Sequence, residues 1–191
     1  VAAEHSAIET ELIEGCRRGD QKHKERLYKH FYGFALGICL RYTRSRDEAV
    51  TILNDSFLKV FEKITNTQFS NGFRQWFSTI IVHTAIDYYR RESRHRHQTG
   101  LETVENTAAE PDAEVIAQLS AEDILSLLAE LPLDQRLVFN MYEIEGYSHE
   151  EIAGQLGLSV STSRVYLARA KEKMRKKILT YSKGHYERNV R

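Results

Sequence analysis

The chain has 191 residues, 41% of them hydrophobic, and its 27 Lys and Arg are matched by 27 Asp and Glu. That is the profile of a soluble globular chain, and no apolar run approaches the roughly 20 residues a membrane span needs. The stretch 1–20 is polar and mixed in charge and the chain ends Asn189-Val190-Arg191, so neither a signal peptide nor a lipid anchor is expected, and the expected location is cytoplasmic. Cys16 and Cys39 have neither CxxC nor zinc-site spacing and read as two buried thiols in a reducing compartment.

Residues 8–43 carry helical spacing, with Leu27, Phe31, Phe34 and Ile38 inward and Asp20 as an N-cap. The next helix is predicted from about Ser45 to Ile64, burying Ile52, Leu53, Phe57, Val60 and Phe61. Residues 65–72 (TNTQFSNG) have turn residues and no period, and read as a loop. Phe73, Trp76, Phe77, Ile80, Ile81 and Tyr88 mark a third helix that runs into the basic stretch RRESRHRH. Residues 98–112 have no period and read as a flexible linker closed by Pro111.

Helical signals resume at Ala113. Ile116, Leu119, Ile124, Leu125, Leu127 and Leu128 form one segment, and Pro132 is the expected first residue of the next. That helix carries Leu137, Val138, Met141 and Tyr142 and ends at Gly146. Ser148-His149-Glu150-Glu151 reads as a capping box. The short helix after it buries Ile152, Ala153 and Leu156, and Gly157 supplies a left-handed turn. Ser159 caps a last helix with Leu167, Ala170, Met174 and Ile178 as its apolar stripe. The predicted class is all-α: two small helical domains, 1–97 and 113–191, joined by an acidic linker, 98–112.

Charge is segregated along this layout. No Lys or Arg occurs between Arg96 and Arg136, while Glu102, Glu105, Glu110, Asp112, Glu114, Glu122, Asp123, Glu130 and Asp134 all fall there. Arg90, Arg91, Arg94 and Arg96 precede this acidic stretch, and a basic cluster from Arg164 to Lys177 follows it.

Residues 148–177 make a helix-turn-helix, the strongest local signal. Its second helix offers Ser161, Thr162, Arg164, Val165 and Ala168 at the end that meets base edges in a major groove. Arg164 suits bidentate reading of a guanine, and Arg169, Lys171 and Lys173 suit phosphates. The plainer alternative is a helical hairpin with a solvated basic face. In residues 73–96 aromatic and basic side chains interleave, a pattern that suits unpaired bases. The plainer alternative is that Phe73, Trp76 and Phe77 are simply core; Phe77 and Ile80 read as core, Trp76 and Tyr88 fit either reading, and Arg90, Arg91 and Arg94 taken alone read as a solvated helix end. His95 and His97 sit among cations, and His83 has no second histidine at i+4, so no metal site is expected. No nucleophile elbow, P-loop or HExxH motif occurs, so no enzyme is expected and no cofactor is implied.

Three stretches together resemble the extracytoplasmic-function (ECF) sigma factors of the sigma-70 family: DEAVTILNDSFLKVFEKI, FRQWFSTIIVHTAIDYYRR, and LPLDQRLVFNMYEIEGYSHEEIAGQLGLSVSTSRVYLARAKEKMRKKI. The resemblance covers nearly the whole chain in order. It implies a factor that binds core RNA polymerase and directs promoter recognition, melting and initiation. Asp47, Glu48, Asn54, Asp55, Phe57 and Leu58 would dock on the clamp helices of the largest polymerase subunit, and the second domain would meet the flap of the second largest. The loop with Phe69, Ser70 and Asn71 would capture a flipped base of the minus-ten element. Phe73, Arg74, Trp76, His83, Thr84, Asp87, Tyr88 and Arg91 would line the adjoining single strand. The second domain would read the minus-thirty-five element as duplex through Ser161 to Lys173. An anti-sigma factor is a further implied partner. His83-Thr84 stand where the family often has Arg-Asn, and Ser163 where an apolar residue is common. The rival reading is a conventional helix-turn-helix regulator, which the helical pattern of residues 1–96 disfavours.

Overall fold

The structure, a computed structural model, describes residues 2–69, 72–93 and 119–189, with side chains for 7–69, 72–91 and 119–180. Every regular element among them is helical, with no strand. Contacts divide the chain into two units, Val1–Arg91 and Glu92–Arg191. The expected linker, both domain boundaries beside it, the basic run from Arg94, and Ser70 and Asn71 lie outside the described residues.

The first unit contains α1 (Ala2–Arg17), α2 (Gln21–Tyr42), α3 (Arg46–Lys63), a 3₁₀ turn at Ile64–Asn66, and α4 (Phe73–Ser93). Asp20 caps α2 by accepting from the Lys22 amide, and Ser45 caps α3 by accepting from the Glu48 amide, each satisfying an otherwise orphan N–H. Gly15 is buried in α1, where a Cβ would lie 2.1 Å from the His23 ring and 2.6 Å from its Cβ. Only a glycine lets α1 pass α2 so closely.

The centre of this unit is aromatic. Phe77 of α4 is fully buried, with ring centroids 4.9 Å from Phe57 of α3, 6.1 Å from Phe31 of α2 and 5.8 Å from Phe73. Such tilted and edge-on pairs add to the stabilisation that area burial alone supplies. Cys16 and Cys39 are free and buried, and burial pushes their thiols up to about 11 and about 12. Both therefore stay protonated and unreactive, as buried thiols do.

The second unit contains α5 (Ala121–Ala129), α6 (Leu133–Phe139), a π turn (Asn140–Ile144), α7 (His149–Leu156) and α8 (Val160–Asn189). Several local details differ from the sequence expectation. Pro132 is the N-cap of α6 rather than its first residue. The helix carrying Leu137 and Met141 widens at its end, where the Glu145 amide donates to Asn140 O across five residues, before Gly146 turns at φ +78°. Tyr142, expected inward, is 38% exposed and stacks on His149.

Leu156, expected inward, is half-buried, as are Leu125 and Ile178 of the two apolar stripes, while Ile124 is 40% exposed and Ile116 lies outside the described residues. Leu137, Val138, Met141, Ile152 and Ala153 are buried, and Ser148 and Glu151 form the reciprocal capping box. Gly157 has φ +68°, with its amide bonded to Ala153 O, the left-handed stop that glycine adopts at no steric cost. Leu127, Leu128, Leu131, Ala170 and Met174 form one apolar cluster joining α5 to α8.

Replacing Phe77 by Ala should cost about 3–5 kcal/mol of stability, because the cavity left between three helices has no neighbour free to fill it. Urea denaturation measures this, and a loss below about 1 kcal/mol would show that the aromatic junction is not what holds α4.

Candidate nucleic-acid and polymerase interfaces

In the second unit, burial and exposure alternate along α8 as a helix-turn-helix requires. Ser163, Leu167, Ala170 and Met174 are buried, whereas Ser161, Arg164, Val165 and Ala168 are exposed. The turn is fixed at both ends. Ser159 accepts from the Thr162 amide, and its hydroxyl lies 2.8 Å from that of Ser161 and 2.7 Å from that of Thr162. His149 Nδ1 lies 2.9 Å from the Ser163 hydroxyl, which is fully buried. This polar contact accounts for a serine at that position: its hydroxyl joins α7 to α8 where an apolar side chain would only pack.

Carboxylates of the same unit already hold two of the cations expected to meet DNA. Arg164 Nη2 lies 3.6 Å from Glu150, and Lys171 Nζ 2.7 Å from Glu143. Both groups of the Arg164 pair are more than 60% exposed, so solvent screens it and exchange for another anion costs little. Val165 is 39% exposed and gives this face an apolar contact of the kind a thymine methyl accepts. Ala168 is exposed on the same face, and Arg169 and Lys173 are half-buried.

In the first unit, Asp47, Asn54, Asp55 and Leu58 occupy one exposed stripe of α3, spaced seven, one and three residues apart, and Leu58 is 62% exposed. Glu48 is half-buried and accepts from the Arg44 amide at 3.0 Å. Asn54 Oδ1 accepts from Tyr28 Oη at 3.0 Å. A groove of about 550 Å³ beside the stripe is lined by Lys24 and Tyr28 of α2 and Leu58 and Phe61 of α3. Local periodicity gave no sign of this groove, because α2 and α3 supply one wall each.

On α4, His83 and Arg91 are exposed, and Trp76, Asp87 and Tyr88 half-buried. Phe69 packs on Trp76 at 4.9 Å and on Phe73 at 5.4 Å. Three residues that the resemblance puts on binding faces are buried, Phe57 at 2%, Phe73 at 5% and Thr84 at 4% exposure; for Phe57 this is the buried stripe that its helical spacing predicts. The two rings belong to the aromatic junction. The Thr84 hydroxyl donates back to Ile80 O at 2.7 Å, which satisfies it within its own helix. Arg74 is committed too, bonded to Glu9 at 2.6 and 3.1 Å and lying over the Phe31 and Phe34 rings.

Residues 27–95 match the family model Sigma-70 region 2, and residues 121–174 match Sigma-70, region 4. The chain belongs to the sigma-70 family. The ECF RNA polymerase sigma-E factor of Haemophilus influenzae is 26% identical over 177 residues, covering 87% of this chain and 93% of that one. Its Escherichia coli K12 counterpart is 23% identical, covering 87% and 92%. A solved complex of the sigma factor RpoE with the anti-sigma factor NepR from Bartonella quintana is also similar, at 18% identity and a TM-score of 0.48, covering 81% of this chain and 95% of that one. The chain is an ECF-type alternative sigma factor, a non-enzymatic protein that directs promoter recognition and transcription initiation. The region 2 match spans α2 to α4, and the region 4 match runs from α5 into α8.

His83 carries a titration signature of its surroundings. The residue is exposed, and partial desolvation of the ring by its neighbours is the main influence lowering its pKa from the ordinary 6.5; Asp87 opposes, and Lys59 and Lys63 add to the lowering. The imidazole is therefore neutral at pH 7 and offers a base one donor and one acceptor rather than a cation. The unfolded chain binds this proton more readily, so the stability His83 contributes is present above about pH 6.5 and lost as pH falls below it. An NMR titration should place the His83 midpoint below that of a solvent-exposed histidine; a midpoint at or above 6.5 would contradict the neutral assignment.

Proposed function

We propose that this sigma factor docks on the clamp helices of the largest polymerase subunit through the exposed stripe of α3. Asp47, Asn54 and Asp55 supply acceptors for basic partners, and Leu58 supplies the apolar centre. The 550 Å³ groove beside them extends the same face. The minus-ten element is then met as single strand. Trp76 and Tyr88 offer stacking surfaces, His83 and Asp87 polar edges, and Arg91 a phosphate contact. Extruding a base costs a few kcal/mol of unstacking, offset by contacts to the loop that carries Phe69. Phe57, Phe73 and Thr84 serve this surface from beneath, by fixing the helices that carry it.

The minus-thirty-five element is read as duplex by α8. The single observation that carries this reading is the division of α8 into a buried face, Ser163 to Met174, and an exposed one, Ser161 to Ala168, directly after the Gly157 turn. Insertion of that exposed end into a major groove brings Arg164 to base edges, while Lys171 and Lys173 reach the backbone. The same domain meets the flap of the second largest subunit. A protein with no net charge gains little from electrostatics alone. Holding both domains on polymerase raises the effective concentration of each at its element. An anti-sigma factor covering these faces is the further partner that the resemblance implies, and the cytoplasm is the compartment where polymerase and promoters meet.

Run-off transcription with purified core polymerase on a genomic fragment library tests the reading. Adding the protein should produce specific new transcripts. Arg164→Ala should weaken those that depend on the minus-thirty-five element by about tenfold or more, the worth of one bidentate base contact. No new transcripts, together with tight duplex binding by the protein alone, would assign it to the conventional helix-turn-helix regulators.

A further inference from the structure

The segment after α3 leaves the helix through the 3₁₀ turn and is extended at Thr67, with φ −104° and ψ 131°. Carbonyls there have left the helical ladder and need donors from elsewhere. Arg17, the last residue of α1, supplies them. Its Nη2 donates to Thr67 O at 2.6 Å and its Nε to Ile64 O at 3.2 Å, across 50 and 47 residues of sequence. The same guanidinium lies 5.1 Å from the centre of the Phe69 ring, the ring that packs on Trp76 and Phe73. Nη1 is held by Glu14 at 2.8 Å. A planar cation with five donors can bond two carbonyls, pair with a carboxylate and stack on a ring at once; a lysine cannot.

Helix α1 is itself held in place. Glu9 pairs with Arg74 of α4, and Glu11 pairs with Arg26 of α2. Gly15 permits the close crossing two residues before Arg17. The helix thus reaches the loop from a fixed base, and it lies ahead of the segment that matches the region 2 family model.

We propose that Arg17 is the positioning residue of the base-capturing loop: it sets the path of Ile64 to Phe69, and so the base preference of that loop, without touching DNA. The inference rests on the reading of this loop as the minus-ten contact. Loop placement governs selectivity because capture is rewarded only where donors and rings already sit in the geometry of the bound base.

The test uses the full chain assembled with core polymerase and a pool of single-stranded oligonucleotides randomised over the minus-ten element. Bound molecules are sequenced for wild type, Arg17→Ala, Arg17→Lys and, as a control, Arg18→Ala, whose side chain is exposed. Wild type and Arg18→Ala should show the same preferences. Arg17→Ala should flatten preference at one position by about tenfold, the scale of a lost pair of charge-assisted hydrogen bonds, and leave the other positions intact. Arg17→Lys should behave like Ala, since charge without the fork does not hold two carbonyls. A uniform loss at every position would show only a structural role and overturn the proposal, as would unchanged preferences in Arg17→Ala or full rescue by Lys. If wild type shows no preference at all, it is the minus-ten reading of the loop that fails.

Discussion

Phe77 meets Phe31 of α2 and Phe57 of α3 at one buried point, and much of the first unit follows from that contact. Rings interlocked at these angles leave α4 little freedom to slide or turn. His83, Asp87 and Arg91 lie on the same helix, between one and four turns further along. Their direction is therefore fixed by packing well away from them. The reverse face of the junction serves α3 in the same way: with Phe57 inward, Asn54, Asp55 and Leu58 must point out. One apolar contact thus orients two polar surfaces.

The second unit solves a related problem with more polar means. Its α8 is held to α5 by an apolar cluster and to α7 by the His149–Ser163 contact. Gln135, Arg136, Asn140 and Glu172 are also buried. Polar groups inside a small helical domain tolerate few alternative packings, because moving one away from its surroundings is costly in a low-dielectric interior. The exposed face of α8 benefits from that constraint, since even a modest rotation would turn part of it inward.

Most of the helices were legible in the sequence because their apolar spacing and caps are local. Asp20, Ser45, Ser148, Gly157 and Ser159 each mark a boundary with a residue whose side chain or freedom from one explains it. The capping box of α5, Ser120 with Asp123, escaped notice because Asp takes the place usual for Glu or Gln. The π turn after Phe139 left no mark in the spacing either. At the candidate sites the readings that stayed double share a cause. Phe57, Phe73 and Thr84 are of types that serve equally well in a core or on a nucleic-acid surface, and only the helix opposite decides which. Arg17 shows the converse: its partners lie 47 and 50 residues away, beyond any pattern that runs along one helix.

The pairs Arg164–Glu150 and Lys171–Glu143 bear on how binding responds to salt. A free cation on a protein displaces condensed ions from DNA when it reaches a phosphate, and affinity then falls steeply as salt rises. A cation that first leaves its own carboxylate also uncovers a negative charge, which gathers counterions in turn. Each such exchange cancels part of the ion release. If the second unit reads duplex DNA as proposed, it holds that DNA with a shallower salt dependence than its Lys and Arg content suggests. Sequence-matched contacts would then carry a larger share of its affinity, and binding to unmatched DNA would be weak.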